Sequence, residues 1–363
     1  MPRLLRKAPL EPGEPAPWFR TRTASNPDYQ FSSVAGRTIV VCFFQSMADP
    51  LSREVIEAMH ARPEVFEDDN ASWFGVSEDP EDERQARVAD RYPGFRYFWD
   101  PERAISGLFG VNERTTYVLD IALRVVAAIP FGDDARAHAA NVCAVVAAQP
   151  PVDAVTPLGA PVLVVPRVFE EALCERLRRY YDENASYDSG FMKEREGKTV
   201  RMLNHDFKRR RDCQIEDAQL REACAKGIDG KLRPQIERAF QFRATRIERQ
   251  IVACYDATRG GFFRAHRDNT TKGTAHRRFA VSLFLNEDFE GGTLRFPEYG
   301  RHLYKAPLGG AVVFSCSMLH EATPVTRGRR YMYLPFLYDD EGAALRAKNS
   351  VHLADDQLRY RRS

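Results

Sequence analysis

The stretch Gln149-Pro150-Pro151-Val152-Asp153-Ala154-Val155-Thr156-Pro157-Leu158-Gly159-Ala160-Pro161 constrains the fold more than any other. Its four prolines have no backbone N–H and a fixed φ, so it cannot run through a helix interior or a central strand. It reads as a semi-rigid connector with a domain boundary inside it. A chain of 363 residues has a length prior of two domains. The sequence therefore divides into residues 10–150, a linker at 151–160, and residues 161–363.

The first side alternates strand and helix signals. Arg37-Thr38-Ile39-Val40-Val41-Cys42-Phe43-Phe44 has the short, β-branched, wholly apolar character of a buried strand. A helix from Pro50 to about Ala61 follows, with Pro50 suited to a first turn. Trp73–Ser77 is a second strand, and charged residues from Pro80 to Arg91 form a helix. A short helix at 104–109, a strand pair at 116–120 and 124–129, and an alanine-rich helix at 133–148 complete the unit. Such alternation predicts an α/β layer fold.

The second side changes character. Leu163 lies in a short strand at 161–166, and Phe169, Leu173, Leu177 and Tyr181 recur every four residues as on an amphipathic helix. Polar, glycine-bearing residues 187–212 read as a long loop, and Leu220, Cys224, Ile228 and Leu232 mark a helix ending near Pro234. From Arg246 onward eight strands are expected, at 246–255, 263–268, 278–286, 293–296, 302–305, 311–315, 318–325 and 329–338. Turns such as Glu290-Gly291-Gly292 and Leu308-Gly309-Gly310 suit a jelly roll of two facing sheets around a pocket.

Chemistry-bearing residues concentrate in that second side. His266 and Asp268, two apart on an expected strand, point to one face, and His320 follows the strand-like run 311–315. Two imidazoles and one carboxylate leave part of a metal's coordination sphere open, as in non-haem Fe(II) oxygenases. Arg330, ten residues after His320, sits beside the apolar run Tyr331–Phe336, where an inward guanidinium requires an anion. His60, His138, His205 and His352 have no partner pattern, His302 is ambiguous, and His276 beside Arg277-Arg278 reads as solvent-facing. Lys208-Arg209-Arg210-Arg211 reads as solvated surface or a local substrate contact, with Arg211-Asp212 at the substrate mouth.

The run from Cys254 to Tyr338 resembles the 2-oxoglutarate- and Fe(II)-dependent dioxygenases of the prolyl 4-hydroxylase type. The likeness rests on His266-x-Asp268, the distant His320 and Arg330, flanked by Tyr255-Asp256, Gly261-Phe262-Phe263, Glu290–Pro297 and His320–Val325. It implies a double-stranded β-helix braced by helices, with His266, Asp268 and His320 as metal ligands. Arg330 and Tyr255 would hold the co-substrate. Asp268 sets the chain apart from related halogenases, which carry a small residue at that ligand position.

Residues 10–150, with the opening Gly13-Glu14-Pro15-Ala16-Pro17-Trp18-Phe19, resemble a peroxiredoxin-type thioredoxin fold. The resemblance departs where a peroxiredoxin carries its nucleophilic cysteine, since Ser52 stands nearest that place. A hydroxyl cannot form the thiolate and sulfenic acid that peroxide reduction needs.

Together the resemblances imply an Fe(II)- and 2-oxoglutarate-dependent enzyme hydroxylating a C–H bond of a protein or peptide, perhaps at proline. It would consume O2, release succinate and CO2, and be supported by ascorbate. The other readings are a hydroxylase of a free amino acid or small metabolite, and a non-enzymatic iron and 2-oxoglutarate sensor. A net charge of +2 gives no global case for a nucleic-acid or membrane partner. There is no apolar run of the roughly 20 residues that span a bilayer. Met1–Lys7 is basic without an apolar core behind it, unlike a secretion signal, and seven scattered cysteines read as reduced thiols of a cytoplasmic protein.

Overall fold

A computed structural model describes residues 8–151 and 159–354. Most of the expected linker, residues 152–158, lies outside the described residues. The chain divides into two compact units, residues 1–158 with 297–301 and residues 159–296 with 302–363.

The first unit is built on a five-stranded sheet in the order Phe95–Trp99, Ala71–Ser77, Thr38–Gln45, Thr115–Leu119, Val125–Pro130. The first two neighbours along that order are parallel, the rest antiparallel. Thr38–Gln45 lies at the centre, and every residue from Thr38 to Phe44 is buried, as its unbroken apolar run requires. Helices Pro50–His60 and Ala135–Ala147 pack Val55, Ile56, Met59, Ala139 and Val142 onto the sheet. This is a thioredoxin-like fold. Phe95–Trp99 is a strand that the sequence reading passed over, and the charged helix is only Pro80–Arg84 rather than reaching Arg91. Aromatic residues supply the missing strand's side-chain packing: Phe95 and Tyr97 stack edge-on or tilted against Trp73.

Ser52 is fully buried in the first turn of Pro50–His60. Its hydroxyl donates to Phe44 O at 2.6 Å, and its backbone N–H donates to Asp49 Oδ2 at 2.8 Å. Asp49 in turn pairs with Arg114. Burial pushes the Cys42 thiol up to about 12, so this strand cysteine offers no thiolate in place of Ser52.

The second unit is a mainly-β jelly-roll-type domain. A ten-stranded sheet contains Arg246–Glu248, Phe336–Tyr338, Phe279–Phe284, Val325–Tyr333, Ile251–Asp256 and Arg211–Gln214 in that order. A five-stranded sheet runs Lys208–Arg209, Phe262–His266, His320–Ala322, Leu294–Arg295, Leu303–Tyr304. Helices Glu171–Glu183, Ala218–Gly227 and Arg233–Phe240 bury Leu177, Tyr181, Leu220, Cys224 and Ile236 against Val281, Leu283 and Tyr333 of the large sheet.

Two expectations fail here. The 187–212 segment is not a loop: Phe191–Arg195 and Lys198–Met202 pair as a hairpin, and Lys208–Arg209 and Arg211–Gln214 join the two sheets. Pro234 does not end the second helix, because a wide π-type turn at Ile228–Leu232 leads into Arg233–Phe240 with Pro234 in its first turn. All seven cysteines are buried and unpaired. Among the described residues no helix is long and apolar enough to cross a membrane.

Candidate active site

Register brings the histidines together. Phe262–His266 and His320–Ala322 pair antiparallel with His266 opposite His320, after a register shift from the Phe263–Ala322 pair. The two rings lie 4.3 Å apart between centroids. The strand stops at His266, so Asp268 is not on the ladder as expected; its backbone N–H donates to Cys316 O at 2.9 Å in the turn beyond. That turn still presents the carboxylate to both rings, with Oδ1 3.5 Å from His266 Nε2 and Oδ2 3.4 Å from His320 Nε2. The ligand atoms of all three residues fall within 4.8 Å of one another.

Each ring is oriented by its other nitrogen. His266 Nδ1 lies 2.8 Å from Arg264 O and His320 Nδ1 lies 3.0 Å from Met318 O. Donation of Nδ1–H to a carbonyl leaves the Nε2 lone pair facing the cluster. Burial, with His266 adjacent, lowers His320 to about 4 despite the pull of Asp268. Asp268 is held far below the usual carboxylate range: burial opposes its charge, and His320 and His266 outweigh that. Two imidazole nitrogens beside an ionised carboxylate form the donor set a divalent cation takes.

These residues open into a cavity lined by both sheets, which therefore face each other across it. Phe263, Leu294, Phe314 and Phe336 give apolar walls, while Arg210, Arg249, Tyr255, Ser282 and Arg330 bring polar groups. Arg330 and Tyr255 are direct cross-strand partners. The Arg330 side chain is 1 % exposed, its guanidinium carbon lies 5.0 Å from the Tyr255 ring and 5.1 Å from the Phe284 ring, and Nε and Nη2 have no hydrogen-bond partner. Burial lowers it to about 10, with Tyr255 opposing and the Arg210 charge adding to the fall. Orphaned guanidinium donors beside a cluster of ligand atoms fit a metal and a co-acid with a distal carboxylate.

The structure brings His266, Asp268, His320, Arg330 and Tyr255 into one cavity. Two neighbours were misread from the sequence. His276 is 1 % exposed and bonds Glu248 at 2.7 Å, so it does not face solvent. In the basic run Lys208 and Arg210 are buried, and it is Arg210, not Arg211, that lines the cavity beside Asp212; Arg211 turns to Ser186 and Asp188. Lys208, Arg210 and Asp212 are alternate residues on extended chain, so a period-two reading of that run exposes the buried face. Arg249 is a further charged cavity residue that the sequence did not flag.

Residues 251–338 match the 2OG-Fe(II) oxygenase superfamily, and residues 12–128 match the AhpC/TSA family. A PKHD-type hydroxylase of Pseudomonas fluorescens is 38% identical over 90 residues, which are 22% of this chain and 39% of that protein. One from Paracoccus denitrificans is 41% identical over 81 residues, or 20% of this chain and 36% of that protein. The match thus spans less than two-fifths of these relatives' own length. A prolyl hydroxylase from Trichoplax adhaerens, solved with a hypoxia inducible factor oxygen degradation domain peptide fragment, is 16% identical, with a TM-score of 0.41. It covers 51% of this chain and 86% of its own. Peroxidoxin BcpB from Mycobacterium tuberculosis is 21% identical with a TM-score of 0.35, covering 39% of this chain and 99% of its own.

Proposed function

With a 2OG-Fe(II) oxygenase domain in its second unit and an AhpC/TSA-type domain in its first, we propose that the chain is an Fe(II)- and 2-oxoglutarate-dependent dioxygenase. Its substrate in this reading is a C–H bond of a protein or peptide, with proline as one candidate. The observation that carries this reading is the orphaned, buried Arg330 in the same cavity as the His266, Asp268 and His320 ligand atoms. A cation with unsatisfied donors at that depth is costly unless an anion meets it, and a dicarboxylic co-substrate reaches both the metal and the arginine.

His266, Asp268 and His320 would hold Fe(II), and the co-acid 2-oxoglutarate would bind in the same cavity with its far carboxylate toward Arg330. The bound metal with its co-acid supplies the oxidising chemistry, in which decarboxylation of 2-oxoglutarate to succinate and CO2 accompanies hydroxylation of the substrate. The chain's own residues bind and orient. Arg330 grips the far carboxylate with paired N–H donors, and Tyr255 stands across the ladder to hydrogen-bond the same group. The carbonyls of Arg264 and Met318 keep both imidazoles turned toward the metal. Phe263, Leu294 and Phe314 exclude water from the reacting centre. Ascorbate would support turnover, as the resemblance implies.

The first unit contributes no peroxidase chemistry in this reading, because Ser52 occupies the thiol's place with its hydroxyl committed to Phe44 O.

The test is succinate formation from 2-oxoglutarate by the Fe(II)-loaded chain, and its loss in His266→Ala. Unchanged turnover in that variant sinks the assignment. Screening peptides against free amino acids then separates a peptide hydroxylase from a metabolite hydroxylase, while ligand-dependent partner binding without turnover identifies a sensor.

A further inference from the structure

Arg249 stands at a fault in the large sheet. Val252 pairs with Tyr333 and Glu248 with Phe336, so residues 249–251 on one strand oppose only 334–335 on the other. The extra residue makes a β-bulge, and Pro335 on the partner has no N–H to close the ladder there. Arg249 itself takes a φ of 64°, a left-handed conformation that a side chain as long as arginine rarely adopts. Bulges and strained backbone of this kind re-aim side chains next to functional sites.

Here the re-aimed side chain lines the cavity. The Arg249 guanidinium lies over the Phe336 ring, 4.9 Å from its centroid, and Nε is buried without a hydrogen-bond partner. The charges that act on it are Arg210, Asp212, Arg277 and Asp268. Each of those is engaged elsewhere. Asp212 takes Arg210 at 2.6 and 2.7 Å, Glu248 takes Arg277 at 3.1 and 2.8 Å, and Asp268 faces the two imidazoles. The Arg249 side chain makes no hydrogen bond or ion pair with any described residue. Arg330 lies instead against the Tyr255 and Phe284 rings, 5.0 and 5.1 Å from their centroids, so the two guanidiniums sit on different aromatic walls.

Resting on the dioxygenase reading, the unmet charges can be counted by location. The co-acid's distal carboxylate meets Arg330, and a divalent metal meets Asp268. Arg249 is then a second cation with no counter-ion. We propose that Arg249 is the binding residue for a carboxylate carried by the primary substrate, and that the enzyme selects an acid over its uncharged analogue. The bulge fixes the guanidinium before substrate arrives, and the Phe336 face holds it flat for two-pronged pairing. The carboxylate can belong to a free amino or organic acid, or to a glutamate, an aspartate or the C-terminus of a peptide.

The test uses the full chain loaded with Mn(II) and 2-oxoglutarate, titrated calorimetrically with matched acid and amide probes. These are small monocarboxylates and their amides, free amino acids and their amides, and peptides carrying Glu or Gln beside a proline. The native protein is expected to bind at least one acid about tenfold or more tightly than its amide, the scale of one charge-assisted pair. Arg249→Gln removes that preference and Arg249→Lys keeps most of it, while 2-oxoglutarate affinity stays within about threefold in both. The pair that shows the preference identifies the carboxylate's source.

No acid preference in the native protein, or a preference that survives in Arg249→Gln, overturns the proposal. A fall in Mn(II) affinity in Arg249→Gln with the preference intact also overturns it, assigning the residue to support of Asp268 instead. Failure of the native Mn(II)-loaded chain to bind 2-oxoglutarate is a separate result, and it removes the dioxygenase reading on which the proposal stands.

Discussion

At the scale of single residues, Arg330 sets the clearest conflict between stability and function. Burial lowers it to about 10, which amounts to about 3 kcal/mol against the charged form at neutral pH. Arg330→Met replaces that desolvated cation with an apolar chain of similar reach, so the ligand-free protein is expected to unfold several degrees higher. The same variant loses about a hundredfold or more in 2-oxoglutarate affinity, and the native rise in Tm on adding 2-oxoglutarate disappears. Equal ligand-induced shifts in native and variant protein contradict the anchor role. Arg330, His266, Asp268 and His320 were legible as residue types at given spacings. Arg249 was not, because a lone arginine before an apolar run looks the same whether it points to solvent or into a cavity.

Elements decide where those side chains point. Gly292, in the Glu290-Gly291-Gly292-Thr293 turn, has a φ of +58°, and a Cβ there would lie 2.8 Å from Arg330 Cδ and 2.8 Å from Val325 Cγ2. Gly292→Ala is therefore expected to displace the Arg330 stem and weaken 2-oxoglutarate binding by about tenfold, with Fe(II) affinity unaltered; titration of both ligands checks it. In the first unit, Arg96 grips Asp68 with bonds of 2.8 and 2.7 Å. Burial alone would raise the Asp68 carboxyl, but the bonds from Arg96 and Ser72 lower it to about 2. A depressed carboxyl stabilises the fold above its ordinary value near 4, and that stability drains away as pH falls through 2. Asp68→Asn is expected to cost about 2 kcal/mol at pH 7 and to flatten the acid limb between pH 4 and 2, measured by denaturant unfolding. The strand and helix periods predicted most of these elements. They failed in 187–212, where polarity suggested a loop but alternate residues face a buried salt bridge, and at Pro234, which opens a helical segment because the first turn needs no N–H.

For the whole molecule, the expected division of labour is an oxidising iron site in one unit and no redox site in the other. Chelation of metal should abolish succinate formation, and re-addition of Fe(II) should restore it. Thiol-dependent peroxide consumption by the full chain should not exceed that of thiol alone; a catalysed rate that survives in His266→Ala would place redox chemistry in the first unit after all. The sequence by itself pointed to two parts of α/β and jelly-roll class, to Ser52 where a thiol is expected, and to His266, Asp268, His320 and Arg330, which lie in one cavity. These depend on residue type, period and order, which are local properties of a chain. Only the tertiary structure decided that the strand ends at His266 and Asp268 reaches the imidazoles from a turn, that Arg210 rather than Arg211 enters the cavity, and that a bulge opposite Pro335 aims Arg249 inward. Register shifts move a side chain from one face to the other by a single residue, and pairing between strands distant in sequence, not the local sequence, fixes them.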